Sequence, residues 1–221
     1  MAILININTA TENAAVSISK NGKLIGTQIS NDSRKHAAFL HPAIESLLKT
    51  SGYEISSLDA IAVLEGPGSY TGLRVGMASA KGLSYALKKP LITIGTLPAM
   101  AMAMIDHQPS DELFYCPMMD ARRMEVFTAV YNKHLEALLA PCAMILEPTS
   151  FHEYFKKNKI LFAGNGTVKW EKIVNDPHAF FEKASDHHHA FIKIAYNKFL
   201  NRDFSDVVYS EPLYLKDFYL P

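Results

Sequence analysis

The residues best placed to hold charge lie in one stretch, Gly66-Pro67-Gly68-Ser69-Tyr70-Thr71-Gly72. It follows the apolar run Ile61-Ala62-Val63-Leu64 and leads into helical periodicity from Leu73 to Leu87. A strand that turns on glycines into a helix can present backbone N–H groups to an anion such as a phosphate. Gly66 and Gly68 admit positive φ or the close approach of another backbone, and Pro67 stiffens the turn. Ser69 or Thr71 can cap the helix. The spacing is not that of the dinucleotide G-x-G-x-x-G, because the third glycine comes one residue late, and no Gly-Lys-Ser/Thr follows. On spacing alone the stretch reads first as a tight turn without a ligand, and only second as a phosphate cradle.

Other chemistry-bearing side chains form weaker patterns. His36 and His41 stand five apart, about 140° round a helix, so one ion cannot bridge them from a regular helix. His187-His188-His189 follows Asp186 and reads as a solvated helix start rather than a metal site. Cys116 sits in an apolar strand with no basic neighbour to activate its thiol. Asp120 and Glu125 could form an acid/base pair, but an ion pair of Asp120 with Arg122 or Arg123 at a strand turn is the simpler reading. Neither Gly-x-Ser-x-Gly nor His-Glu-x-x-His occurs. No catalytic residue, resident metal or cofactor is expected.

The elements that must position these residues follow from pattern. Ile3, Ile5 and Ile7 alternate along a first strand, and Asn21-Gly22 between two β-rich runs signals a hairpin. Asp32 or Ser33 should open a helix with Ala37, Leu40, Ile44, Leu47 and Leu48 on its core face, Pro42 inside it, and Phe39 and Ala43 off that face. In the helix after the glycine turn, Gly72, Gly76 and Ala80 make a small-residue stripe, and Arg74, Ala78, Lys81 and Tyr85 make another face. The Met/Ala-rich run Leu97 to Ile105 is a short core helix. Strands are expected at Leu113 to Met119, Glu125 to Tyr131 and Ile160 to Ala163, a helix at His188 to Leu200, and a packed tail from Val207 to Pro221. The order β-β-β-α-β-α-β-α, then a more degenerate half, predicts an α/β protein of two related lobes, 1–105 and 106–221.

Composition narrows the function. The chain of 221 residues carries 22 basic and 22 acidic side chains, so its net charge is zero and no basic block tracks a nucleic-acid backbone. Two cysteines without C-x-x-C spacing fit a reducing compartment. The N-terminus lacks a signal-peptide pattern and no stretch reaches membrane-span length, so a cytoplasmic protein is expected.

The run Gly66 to Gly76, with Ala80-Lys81-Gly82-Leu83 after it, resembles the signature of the TsaB (YeaZ) family. Asp120-Ala121-Arg122 with Glu125-Val126, Gly164-Asn165-Gly166 and Pro212-Leu213-Tyr214-Leu215 match that family's later motifs in order. The resemblance implies the actin/Hsp70/sugar-kinase (ASKHA) fold, related to the RNase H-like fold, with a reduced second lobe. It implies a non-catalytic subunit that pairs with TsaD and, with the ATPase TsaE, serves threonylcarbamoyl transfer to adenosine 37 of tRNAs reading codons that begin with A. The TsaD relatives bind a metal through His-x-x-x-His, and the corresponding positions here are Thr96 and Met100. ATP-using members end the first strand in Asp, and Asn8 stands there, followed by Thr9. Asn8, Thr9, Gly66, Gly68, Ser69, Thr71 and Gly72 are therefore weak nucleotide-site candidates.

Under this resemblance Phe39, Leu40, Ala43, Arg74, Met77, Ala78, Lys81 and Tyr85 are candidates for the surface that meets TsaD. The same surface would form a homodimer when TsaD is absent, and tRNA would be met only through the complex. The competing reading is a metal- or ATP-dependent enzyme, an ATPase or an M22-type glycoprotease-like hydrolase.

Overall fold

The computed structural model describes residues 1–30, 36–183 and 186–216, with His36 described by its backbone alone. The helix start expected at Asp32 or Ser33 and the last five residues of the tail lie outside the described residues.

The first unit comprises Met1–Thr96 and Phe191–Leu213. Its strands β1 (Ile3–Asn8), β2 (Ala14–Lys20), β3 (Lys23–Ser30), β4 (Ala60–Gly66) and β5 (Leu91–Gly95) form one sheet in the order β3-β2-β1-β4-β5. Every residue of β1 is buried, as a central strand covered on both faces requires. Its isoleucines meet apolar partners on either side, Ile5 opposite Ile18 and Ile61, Ile7 opposite Val16 and Val63. Of the two amides in the strand, Asn6 donates from Nδ2 to Ser19 Oγ at 3.0 Å. Asn21 and Gly22 both take positive φ, 51° and 75°, as the β2–β3 hairpin demands.

Among the described residues this unit also carries α1 (His36–Ser51) and α2 (Tyr70–Leu87). On α1 the buried set is Leu40, Ala43, Ile44, Leu47 and Leu48, with each leucine or isoleucine worth roughly 1.5–3 kcal/mol when fully buried. That corrects the sequence pattern at two positions. Ala43, three residues after Leu40, lies on the core face, whereas Ala37 is exposed. Phe39 is half-buried and packs on the same core.

The second unit comprises Leu97–Ala190 and the tail from Tyr214. The break therefore falls at Thr96/Leu97 rather than between residues 105 and 106. Helix α3 (Thr96–His107) explains the shift: Leu97, Ala101, Met104 and Ile105 all pack in this unit's core. Strands β6 (Leu113–Asp120), β7 (Glu125–Tyr131), β8 (Ala137–Ile145), β9 (Lys159–Ala163) and β10 (Ala179–Glu182) form its sheet. Read from β8 the order is β8-β7-β6-β9-β10, with the same parallel and antiparallel pairings as in the first unit. The two lobes are copies of one plan. Where the first has α1 and α2, of 16 and 18 residues, the second has α4 (His152–Phe155) and α5 (Thr167–Trp170), four residues each.

Helix α6 (His188–Leu200) follows β10. The histidines at its start are not a uniformly solvated group. Asp186 Oδ1 accepts the His188 N–H at 2.9 Å, and the His188 ring is buried, its Nε2 without a partner among the described residues. Burial, reinforced by His189 and opposed by Asp186, holds the His188 imidazole below its ordinary 6.5.

Two predictions follow from these contacts. The folded state keeps His188 neutral while the unfolded chain takes a proton near pH 6.5, so stability should fall as pH drops from 6.5 through the folded value. Urea midpoints measured at pH 7.5 and 5.5 should differ less in His188→Leu than in the parent. On α2, a Cβ at Gly76 would meet Thr9 Oγ1 at 2.2 Å, whereas one at Gly82 would meet nothing within 4 Å. Gly76→Val should lower unfolding free energy by about 2–4 kcal/mol. Gly82→Ala should raise it by about 0.5–1 kcal/mol. Chemical denaturation of both variants checks the pair.

Candidate functional site: the glycine turn and the outer face of α2

Strand β4 ends at Gly66, whose φ of +123° few side chains tolerate, and α2 starts at Tyr70. Ser69 is the N-cap: its Oγ accepts the Gly72 N–H at 3.3 Å. The chain itself supplies the backbone that comes close to these glycines. Ser69 N–H donates to the Ala10 carbonyl at 2.7 Å, and a Cβ at Gly68 would lie 2.2 Å from that same oxygen. On the other side Leu213 N–H donates to the Glu65 carbonyl at 2.7 Å, and a Cβ at Gly66 would lie 2.6 Å from the Leu213 oxygen. Behind the turn Thr9, fully buried, donates its hydroxyl to the Gly72 carbonyl at 2.7 Å. Asn8 Oδ1 accepts the Ala10 N–H at 3.1 Å.

Of the seven weak nucleotide-site candidates, then, Asn8, Thr9, Gly66, Gly68 and Gly72 engage the chain's own atoms. Ser69 caps its own helix, and Thr71 is exposed on the first turn. The small-residue stripe of α2 serves the same end, since Gly76 faces Thr9 and Val63 of its own unit. The second unit repeats the device in Gly164-Asn165-Gly166. There a Cβ at Gly164 would meet the Met118 carbonyl at 2.1 Å, and Asn165 Oδ1 accepts the Asp120 N–H at 2.8 Å.

The candidates for a partner surface divide. Leu40, Ala43 and Met77 are core residues and cannot face a partner, which corrects the expectation. On α2 the buried positions are 72, 73, 76, 77, 80 and 84, so Met77 belongs with Gly76 rather than with its neighbour Ala78. Arg74, Ala78 and Tyr85 point outward at helical spacing, Tyr85 with 81% of its surface exposed. The Arg74 guanidinium lies 4.0 Å from the Tyr70 ring centroid.

Lys81 is half-buried, and its Nζ donates to the carbonyls of Val208 and Ser210, both at 2.9 Å. It anchors the C-terminal segment. That segment is also held by Ser205 N–H on the Leu91 carbonyl at 2.8 Å and by Thr93 N–H on Ser205 Oγ at 3.0 Å. Beside α2, α1 presents Ala38, His41 and Pro42 to solvent, and His41 Nε2 bonds Ser79 Oγ at 3.1 Å. His41 reads from sequence as a surface or partner-contact residue, whereas Ala38 and Pro42 are missed because the pattern leaves Ala43 on the outer face. With Ala43 inside, positions 38, 41, 42 and 45 fall outside.

The remaining constellations resolve plainly. Cys116 is fully buried, bonds Thr128 Oγ1 at 3.2 Å, and burial pushes its thiol well up, the opposite of a nucleophile. Asp120 pairs with Lys169 Nζ at 2.7 Å, not with an arginine side chain, and that ammonium holds its carboxyl below the usual range. The reason is geometric. Arg122 and Arg123 take left-handed φ of 69° and 48° in the β6–β7 turn, and what Asp120 accepts from Arg122 is its backbone N–H, at 2.6 Å. Thr96 is buried, and Met100 is half-buried with its methyl against Gly164. Among the described residues no three His, Cys, Asp or Glu side chains are placed to hold one metal ion, and no helix is long and apolar enough to cross a membrane.

Comparison with known proteins bears on this architecture. Residues 23–210 match the family described as TsaD, tRNA N6-adenosine threonylcarbamoyltransferase. The tRNA threonylcarbamoyladenosine biosynthesis protein TsaB of Escherichia coli (strain K12) is 26% identical over 225 aligned residues, which span 97% of this chain and 94% of that one. The solved structure of YeaZ from Pseudomonas aeruginosa superposes with a TM-score of 0.81 at 26% identity, covering 97% of this chain and all of that one. An inorganic polyphosphate/ATP-glucomannokinase from Arthrobacter shares the fold alone, with a TM-score of 0.52 and 10% identity over 91% of this chain and all of that one. The fold is thus of the ASKHA type, and the chain belongs to the TsaD family of tRNA N6-adenosine threonylcarbamoyltransferases, on its TsaB (YeaZ) branch.

Proposed function

We propose that this chain is a non-catalytic subunit in tRNA threonylcarbamoyladenosine biosynthesis, which binds and activates the catalytic TsaD subunit. The observation that carries the reading is the outer face of α1 and α2. Ala38, Pro42, Ala78 and Tyr85 are solvent-exposed there, flanked by the charged Glu45 and Arg74, on helices tied together by His41 and Ser79. Small and aromatic side chains on two fixed helices suit packing against another helix pair, and burying a residue such as Tyr85 supplies an anchor. A relative with the same plan would offer a matching pair across a pseudo-two-fold axis, and two copies of this chain could meet through the same face.

The residues at the positions that do chemistry in catalytic relatives support the non-catalytic part. Asn8 supplies no charge for a magnesium ion, and Thr96 and Met100 are poor replacements for the paired histidines that hold the metal in the catalytic relatives. TsaE would join the complex, tRNA would be met through the assembled surface, and the setting would be the cytoplasm. An ATPase or M22-type hydrolase finds no comparable support among the described side chains.

The variant Ala78→Arg/Tyr85→Glu should lose co-purification with the threonylcarbamoyltransferase from the same organism, or bind it at least about 30-fold more weakly. Its melting temperature should stay at the parent's, since both positions are exposed. Lys81→Met should instead lower the melting temperature by loosening the 205–213 segment, with a smaller effect on binding. Undiminished binding by the double variant would assign the contact elsewhere.

A further inference from the structure

The turn between β6 and β7 carries two adjacent arginines, Arg122 and Arg123, both exposed. Its backbone is pinned from within. Ala121 N–H donates to the Glu125 carbonyl and Glu125 N–H to the Arg122 carbonyl, both at 3.1 Å. Arg122 N–H meets Asp120 Oδ1 at 2.6 Å, and Asn165 Oδ1 accepts the Asp120 N–H at 2.8 Å. Lys169 on α5 adds a bond from its Nζ to the Glu125 carbonyl at 2.8 Å. The two guanidinium groups thus stand on a tip whose position is fixed.

Charges around this tip do not cancel. Each carboxylate beside it already has an ammonium, Asp120 that of Lys169 at 2.7 Å and Glu125 that of Lys216. The Arg122 guanidinium acts on Asp120 through space, and less than Lys169 does. Elsewhere in this unit Lys133, Lys156 and Lys159 each face a carboxylate as well. Arg122 and Arg123 form no ion pair among the described residues. Their two positive charges are left over, on a chain whose total charge is zero.

A guanidinium is always charged and offers a planar fork of donors that matches the oxygens of a phosphate. We propose that Arg122 and Arg123 contact the sugar-phosphate backbone of an RNA. The inference rests on the reading above that the chain serves tRNA modification, and it names what this chain adds to the surface that tRNA meets. An acidic protein segment would suit two positive charges too, but the family to which the chain belongs is named for an enzyme that acts on tRNA. Two phosphate contacts position an RNA without reading its sequence. They do not hold it alone, in keeping with a neutral chain that lacks a basic block. The tip belongs to the other unit from the α1–α2 face, so the two surfaces can be altered separately.

The probe is a transcript of a tRNA that reads a codon beginning with A. Added at low salt to the full isotope-labelled chain, it should shift the amide resonances of residues 121–125 saturably, and about 0.3 M salt should abolish the shifts. In complex with the threonylcarbamoyltransferase of the same organism, Arg122→Gln/Arg123→Gln should weaken tRNA binding about ten-fold. The slope of log Kd against log salt should fall by about 1–2. Arg122→Lys/Arg123→Lys should keep most of the affinity and slope, since an ammonium still meets a phosphate. Both variants should match the parent in melting temperature and in co-purification. No shift in the chain alone, unchanged affinity and slope in the glutamine variant, or an equal loss in the lysine variant would overturn the proposal. So would equal shifts with magnesium-ATP or with polyglutamate, which would assign the tip to a free nucleotide or to an acidic protein. Failure of the parent complex to form would count against the proposed function instead, and the titration of the chain alone would still decide the role of the arginines.

Discussion

Backbone meeting backbone at the end of the central strand is what the first unit depends on. The Ala10 carbonyl approaches Gly68 so closely that any side chain there would collide with it. One turn of helix further on, the Thr9 hydroxyl occupies the space that a Cβ at Gly76 would need while bonding the Gly72 carbonyl. Together these contacts press α2 onto the sheet and decide which of its faces is left for anything else. Glycine at 68 and 76 is thus a packing requirement first. The same residue types that cradle a phosphate in other proteins here receive the chain's own peptide groups.

That seating fixes the outer face of α2 in turn. With Gly72, Leu73, Gly76, Met77, Ala80 and Ser84 turned inward, Arg74, Ala78 and Tyr85 have to point away. The C-terminal segment then runs beside the helix, held by Lys81, and returns to the sheet where Leu213 meets Glu65. One lysine near that face therefore has a structural task. A charge reversal at Lys81 would disturb fold and surface together, which makes Ala78 and Tyr85 the cleaner reporters.

The first half of the chain was largely legible from sequence because its elements are long and periodic. β1, the Asn21-Gly22 hairpin, β4 with its glycine turn, and α2 all carry their signals within a few residues. The second half was less so. Helices α4 and α5 have four residues each, less than two turns, and no periodicity can show in so few. β8, with Ala, Leu, Cys and Met in succession around Pro141, lacks alternation. At the candidate site, the turn's shape and the Ser69 cap could be read locally. What fills the turn could not, because Ala10 and Leu213 are distant in sequence. Ala43 and Met77 were misplaced for a simpler reason: an apolar residue on a helix suits a core and a docking face equally well. His188 shows the limit from the polar side, since three adjacent histidines read as solvated until the fold buries the middle one.

Repetition of the plan in both units also orders what has changed between them. Each keeps the strand order and the close approach of a glycine to the end of its central strand, at Ala10 in one and Met118 in the other. The helices have diverged far more than the sheets. Such a scaffold with packed turns and poor ligands is suited to presenting surfaces. Amide resonances of Gly66, Gly68 and Gly72, followed in the isolated chain during titration with magnesium and ATP, test this most directly. They should stay in place, while those of Ala78 and Tyr85 move when the threonylcarbamoyltransferase is added. Saturable movement of the three glycines with nucleotide alone would show that the turn opens to a ligand and would contradict the reading.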